Sequence, residues 1–401
     1  MVEPLTNGTA YCESEDHFKP DECIRSSISE TQARDLAKRL YGLTVTSIRQ
    51  FNGYHDRNFY LTVDQDCSNP HIDEVLPHGY VLKIINTLDS KTPEHLDAQS
   101  SLLRHIHAKM PGCCPLPVKN VDGNFSSLET ILQGGQNGTG TQHIVRLLCF
   151  IPGVVFHQMP QPDYDIYYDA GQFLGRLDIA IKDFSSPAFE ARFNCWSMYW
   201  VPNLKRCTYA VRDPKRRALA AEVIEEFVAQ VIPNYNKLQK GTIHGDFNEQ
   251  NVLVTPKDGM DNADPTTETK YKHIGIIDFG ENANACYVFE IGLSMMYLST
   301  CSRKLDFIEA GGHLLAGYLT HMTLSDLEFD LLRTVVAARY AQSLVLGEYF
   351  YSLEKNEYCL STSSAGWLQL EKLWETPKEK VMEIWSMIIE QRKDQHLTTE
   401  Q

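Results

Sequence analysis

The sequence predicts an α+β chain in two lobes, a small mostly β lobe with one main helix followed by a larger mostly α lobe. Three observations carry this reading. β-type runs crowd into the first 151 residues, helical periodicity dominates after Pro152-Gly153, and an apolar segment tethers the two. The chain has 401 residues, 43% hydrophobic and 22% charged, near the globular average and long enough for a sizeable core.

Residues 1–28 are polar and without periodicity, and read as a flexible leader. Residues 29–151 form the first lobe. Ser29-Glu30-Thr31-Gln32 is a capping box, after which Ala33, Leu36, Ala37 and Leu40 recur at helical spacing until Gly42. Val45 to Phe51 and Asn58 to Val63 are strands joined at Asn52-Gly53, and Tyr80 to Ile85 is a third strand with Lys83 among apolar neighbours. Thr92-Pro93-Glu94 starts a helix that runs to about Met110. Strands at 125–132 and 143–151 flank a glycine-rich run, 134–140. That run lacks a Walker Lys-Ser/Thr and no helix follows it, so it reads as a hairpin turn rather than a phosphate cradle.

Residues 152–401 form the second lobe. Its expected helices are 163–181, 215–238, 286–301, 305–320, 325–353 and 364–391, with strand-like runs at 252–255 and 274–278. Residues 256–272, rich in Asp, Asn, Pro, Thr and Lys, read as an exposed insertion.

Lys+Arg 37 against Asp+Glu 52 leaves a net charge of −15, which disfavours a nucleic-acid surface and suits a cationic or small-molecule partner. The N-terminus lacks a signal-peptide pattern, and no uncharged apolar stretch reaches the ~18 residues of a membrane span. Eleven scattered cysteines without a C-x-x-C pair predict reduced thiols in a cytoplasmic protein.

The chemistry concentrates in His244-Gly245-Asp246-Phe247-Asn248-Glu249-Gln250-Asn251, a short loop running into a β-type segment. Phosphoryl transfer to a hydroxyl needs a carboxylate beside the attacking oxygen and an amide oxygen on Mg²⁺. Asp246 with Asn251 five positions later has that pattern. Ile276-Ile277-Asp278-Phe279-Gly280 adds a second carboxylate after an apolar strand, and Lys83 is read as the cation for the nucleotide phosphates. Taken singly, Asp246 could cap a turn, His244 could be a satisfied core histidine, and Lys83 could snorkel from a strand edge. All of them in this order favour the functional reading.

With HGDFNEQNVL, IIDFG, YVLKI and VRLLCFIPG in sequence, residues 29 to 390 resemble the aminoglycoside-phosphotransferase/choline-kinase branch of the protein-kinase-like fold. The resemblance implies Asp246 as catalytic base with His244 bracing its loop, Asn251 and Asp278 as Mg²⁺ ligands, and Lys83 as a phosphate contact. Cys149, Phe150 and Ile151 would be the hinge that binds the base, and Asn58 a phosphate-side contact. Asp97, or else Glu94, would orient Lys83. The implied reaction moves the γ-phosphate of GTP, or ATP, to the 5-hydroxyl of 5-hydroxy-L-lysine. Other acceptors considered are aminoglycoside, choline and ethanolamine types, and a non-catalytic nucleotide-binding scaffold is a further alternative. A protein kinase should show an Arg beside the catalytic Asp and an A-P-E segment, and neither is present.

A cationic amino acid as acceptor calls for acids and a cation near Asp246. Glu249, Glu281, Asp178 and Glu290 are the acidic candidates, Arg339 and Arg57 the basic ones, and Trp196 and Trp367 possible walls.

Overall fold

The computed structural model describes residues 24–51, 53, 56–132, 140–190, 194–256 and 271–399. The leader's first 23 residues and the centres of the 134–140 and 256–272 runs lie outside them.

Ser29 and Gln32 exchange the hydrogen bonds of a capping box, and α1 (Glu30–Tyr41) ends at Gly42, whose φ of 64° is left-handed. Its buried stripe, with Leu36, Leu40 and Tyr41, covers one face of an antiparallel sheet. The sheet contains β1 (Leu43–Phe51), β2 (Arg57–Cys67), β3 (Tyr80–Ile84), β4 (Pro117–Val118), β5 (Ser127–Leu132) and β6 (Gly140–Cys149), in the order β1-β2-β3-β6-β4, with β5 also on β6. Strand alternation sends Phe59, Leu61, Leu82, Ile84, Val145 and Leu147 toward α1. Lys83 lies on the opposite face, with Asn58 and Arg146 as its cross-strand neighbours. The other main helix, α2 (Pro93–Lys109), places Leu102, Leu103 and Ile106 in the core of the helical region.

That region contains β7 (Val154–Val155), α3 (Tyr164–Ile181), α4 (Pro187–Glu190), α5 (Pro214–Gln230), β8 (Lys240–Ile243), β9 (Val252–Pro256), β10 (Tyr271–Ile276) and β11 (Ala283–Cys286). It continues through α6 (Tyr287–Ser299), α7 (Phe307–Tyr318), α8 (Asp326–Glu354), α9 (Ser363–Glu375) and α10 (Lys378–Thr399). Helices α3 and α7 pack at backbone distance. A Cβ on Gly171 would overlap Leu314 O, and one on Gly317 would overlap Tyr168 O.

The expected helix at 364–391 is two helices, because Pro377 cannot continue α9 and constrains Thr376 before it. The 215–238 helix likewise gives way at Pro233 to a 3₁₀ segment, Ile232–Lys237. β5 and β6 pair from Ser127↔Val145 to Leu132↔Gly140, so the glycine-rich run joins two adjacent antiparallel strands. Among the described residues no helix is long and apolar enough to cross a membrane, and nine cysteines are free thiols.

Candidate active site

Two short pairings hold two loops side by side. β8 pairs with β11 and β9 with β10, so the segment 244–251 and the segment 277–282 leave neighbouring strands together. The Ile277 amide donates to Asn251 O at 3.0 Å, while His244 Nε2 lies 3.2 Å from Ile277 O. His244 Nδ1 accepts from the Asp246 amide at 3.2 Å, so the proton sits on Nε2. Burial pushes this imidazole down to about 4, so it is neutral near pH 7 and holds the loop by both nitrogens. His244 is therefore placed as a positioning residue.

Gly245 has φ 79°, and a Cβ there would overlap Glu281 O. Its amide donates to Glu290 Oε2 at 2.8 Å. These contacts present Asp246, whose Oδ1 accepts from Asn248 Nδ2 and whose Oδ2 accepts from Asn251 Nδ2, both at 2.7 Å. Burial raises the Asp246 pKa well above the usual carboxylate value; Arg339 opposes that shift, and Asp278 and Glu281 add to it. A carboxylate made more basic in this way is suited to accept a hydroxyl proton. With its Nδ2 committed to Asp246, Asn251 keeps its Oδ1 as the end able to face a cation.

Asp278 has a left-handed backbone, φ 61°, and its Oδ1 lies 3.1 Å from Lys83 Nζ. Lys83 above all holds this carboxyl below its usual range, so Asp278 is ionised. Asp278, Asn251 and nearby Asp246 offer only oxygen donors. That set fits Mg²⁺, which takes one or two protein carboxylates and completes its shell with phosphate and water.

The second carboxylate at Lys83 is Asp56 Oδ2, at 4.0 Å. It replaces the expected Asp97. α2 turns His95, with Nε2 3.4 Å from Gly280 O, and Gln99 inward. At about 100° per residue, that leaves Glu94 and Asp97 exposed. Asp56 is fixed by the backbone and side-chain N–H groups of Asn86, at 2.9 and 3.1 Å. Arg146, 2% exposed, acts on both Asp56 and Asp278, and its Nε and Nη1 have no hydrogen-bond partner.

Asn58 stands beside Lys83 on β2, with its Oδ1 buried and unpartnered. Cys149 ends β6; its amide donates to Leu116 O and the Phe150 amide to Gly79 O, so Cys149, Phe150 and Ile151 form an ordered crossing between the two regions. The Phe150 ring packs on Tyr60, with centroids 4.6 Å apart.

Of the acceptor-side candidates, Glu249 is buried with Oε2 unpartnered, and burial pushes its carboxyl up to about 7. Glu281 accepts from Asn194 Nδ2. Arg339 donates through Nη1 to Trp196 O at 2.6 Å and to Gln342 Oε1 at 2.7 Å. Asp178 is corrected: it is fully buried on α3, where Oδ2 accepts from Tyr318 Oη at 2.7 Å, and burial raises it to about 7. It belongs to an internal cluster with Glu290, which braces Gly245. Arg57 is pinned to Ser26 O, and Trp367 is core. Burial first, and then the charges of Glu249, Asp246 and Asp278, raise the Tyr358 hydroxyl to about 12; it lies more than a hundred residues beyond that loop, so nothing in the sequence pointed to it.

The loop pair, the cross-strand lysine and the two-region fold together define a phosphotransferase. The pattern of the phosphotransferase enzyme family (APH) matches residues 47–319, more than half of the chain, and the chain belongs to that family. It is a small-molecule kinase acting on a hydroxyl group. Among named proteins it is 32% identical to hydroxylysine kinase of Xenopus laevis, over 90% of this chain and 94% of that one. It is 30% identical to hydroxylysine kinase of Bos taurus, over 90% and 93%. Of solved structures, a microcompartment-associated aminopropanol kinase superposes with TM-score 0.61 at 17% identity, covering 87% of this chain and 98% of the other. Amicoumacin kinase hAmiN gives 0.58 at 14% identity, covering 88% and 95%. At these identities the structural likeness speaks for the protein-kinase-like fold alone.

Proposed function

We propose that the chain transfers the γ-phosphate of GTP, or ATP, to the 5-hydroxyl of 5-hydroxy-L-lysine, giving 5-phosphohydroxylysine. The observation that carries the chemistry is the Asp246 carboxylate, held by Asn248 and Asn251 beside the Asp278–Lys83 pair. The acceptor is supported by likeness to named hydroxylysine kinases across nine-tenths of the chain.

In this reading residues 29–151 take the nucleotide, and residues 152–401 carry the catalytic loop and the acceptor pocket. Backbone groups of Cys149, Phe150 and Ile151 meet the base, and Lys83 and Asn58 meet the phosphates. Asn251 and Asp278 would hold Mg²⁺, which would supply charge neutralisation at the phosphates. Asp246 orients the acceptor hydroxyl and takes its proton, while His244 and Glu290 keep the loop in place. The free thiols fit a reducing, cytoplasmic setting.

A coupled assay with purified protein across GTP and ATP, and across hydroxylysine, lysine, choline, ethanolamine and an aminoglycoside, tests the reading. Phosphate should reach hydroxylysine only. Efficient transfer to another acceptor, with hydroxylysine inert, would refute the substrate while leaving the kinase.

A further inference from the structure

We propose, resting on that reading, that Arg339 is the specificity-determining residue that binds the α-carboxylate of the acceptor, so that the pocket selects an amino acid over the corresponding amine. A circuit of contacts closes around Asp246. Gly245 packs on Glu281 O, Glu281 accepts from Asn194 Nδ2, Asn194 Oδ1 accepts from the Trp196 amide, and Trp196 O accepts from Arg339 Nη1. The Arg339 guanidinium then lies 5.1 Å from the Tyr297 ring centre. Tyr297 sits two turns along α6 from Glu290, which returns to the Gly245 amide.

Within this circuit Arg339 is 1% exposed. Its Nη1 is committed to Trp196 and Gln342, the Trp196 and Tyr297 rings flank it, and its Nε has no partner. A guanidinium N–H left unpaired at that depth is costly, and a planar carboxylate is the group its edge matches. Glu249, whose Oε2 is also buried and unpartnered, would accept a hydrogen bond from the ammonium group of such a ligand.

Arg339 also acts on Asp246 and Glu290, and a purely structural role there is the competing account. Kinetics with two acceptors separate them. Hydroxylysine and its decarboxylated analogue, 1,5-diaminopentan-2-ol, share the reacting hydroxyl and the adjacent aminomethyl group. Wild-type protein should favour hydroxylysine in kcat/KM by roughly 10–10²-fold, mostly through KM, as expected for a charge-assisted hydrogen bond. Arg339→Gln should bring that ratio close to one, and Arg339→Lys should leave it part-way.

Equal wild-type use of the two acceptors overturns the assignment, whether or not the variants fold, and leaves the kinase reading standing. Variants that lose activity equally on both, with the preference retained, overturn it in favour of the structural account. If wild-type protein phosphorylates neither acceptor, the proposed function itself fails and this assignment with it.

Discussion

Around Asp246, both carboxylate oxygens and both nitrogens of the neighbouring imidazole have partners from the chain itself. By contrast, Glu249 Oε2 and Arg339 Nε are buried with none. The first set is organised by the chain itself, so the proposed proton transfer would need little rearrangement at the moment of reaction. The second set carries the penalty of unpaired buried polar atoms, which the proposed acceptor would relieve. The proposed reacting groups are thus held by the chain itself, and the proposed recognising groups are not.

Substitutions in the two sets should fail in different ways. The largest effect is expected at Asp278. Asp278→Ala should abolish turnover with either nucleotide, because it removes a proposed metal ligand and the partner of Lys83. Near-normal rates in a folded variant would dismiss the assignment.

Asp246→Asn should lower kcat by roughly 10²–10⁴-fold with little change in nucleotide affinity, measured by equilibrium binding. A variant that instead loses nucleotide binding would show that the loop serves the donor rather than the hydroxyl.

Asp178 tests the buried acidic cluster behind Gly245. Its carboxyl is raised from the usual value, near 4, to about 7, so its contribution to stability is complete only below about pH 4 and is lost progressively as pH rises from there through 7. Asp178→Asn should therefore melt closest to the parent at pH 4 and a few degrees above it at pH 8. An equal offset at both pH values would contradict a buried neutral carboxyl.

The smallest effect is expected at Asp97. Asp97→Ala should change the KM for nucleotide by less than about twofold, as befits an exposed surface substitution. Asp56→Asn should raise it more, because Asp56 flanks Lys83. The reverse order would restore the helix carboxylate as the lysine's partner.

The loop from His244 to Asn251 was legible because its residues are consecutive and their spacing carries the chemistry, and most helices were legible from apolar periodicity. Asp97 was misread because helix phase decides which side chain faces a strand, and His95 and Gln99 take the inner face. The true neighbour, Asp56, lies in the first hairpin, a contact across the sheet that leaves no local trace. β8 and β11 are four residues each and include Lys240, Gly241 and Asn284, too short and too polar to read as strands before their pairing is seen. Asp178 looked like an available acid because nothing in sequence says that Tyr318, 140 positions away, will cover it.

The glycines that bring α3 and α7 together have a dynamic consequence. With Gly171 against Leu314 O and Gly317 against Tyr168 O, no side chain lies between the backbones at those points to rearrange. Sliding one helix past the other would have to break contacts along its whole length. The α3–α7 pair should therefore move as one piece. In hydrogen exchange its amides should be among the last to be replaced by deuterium.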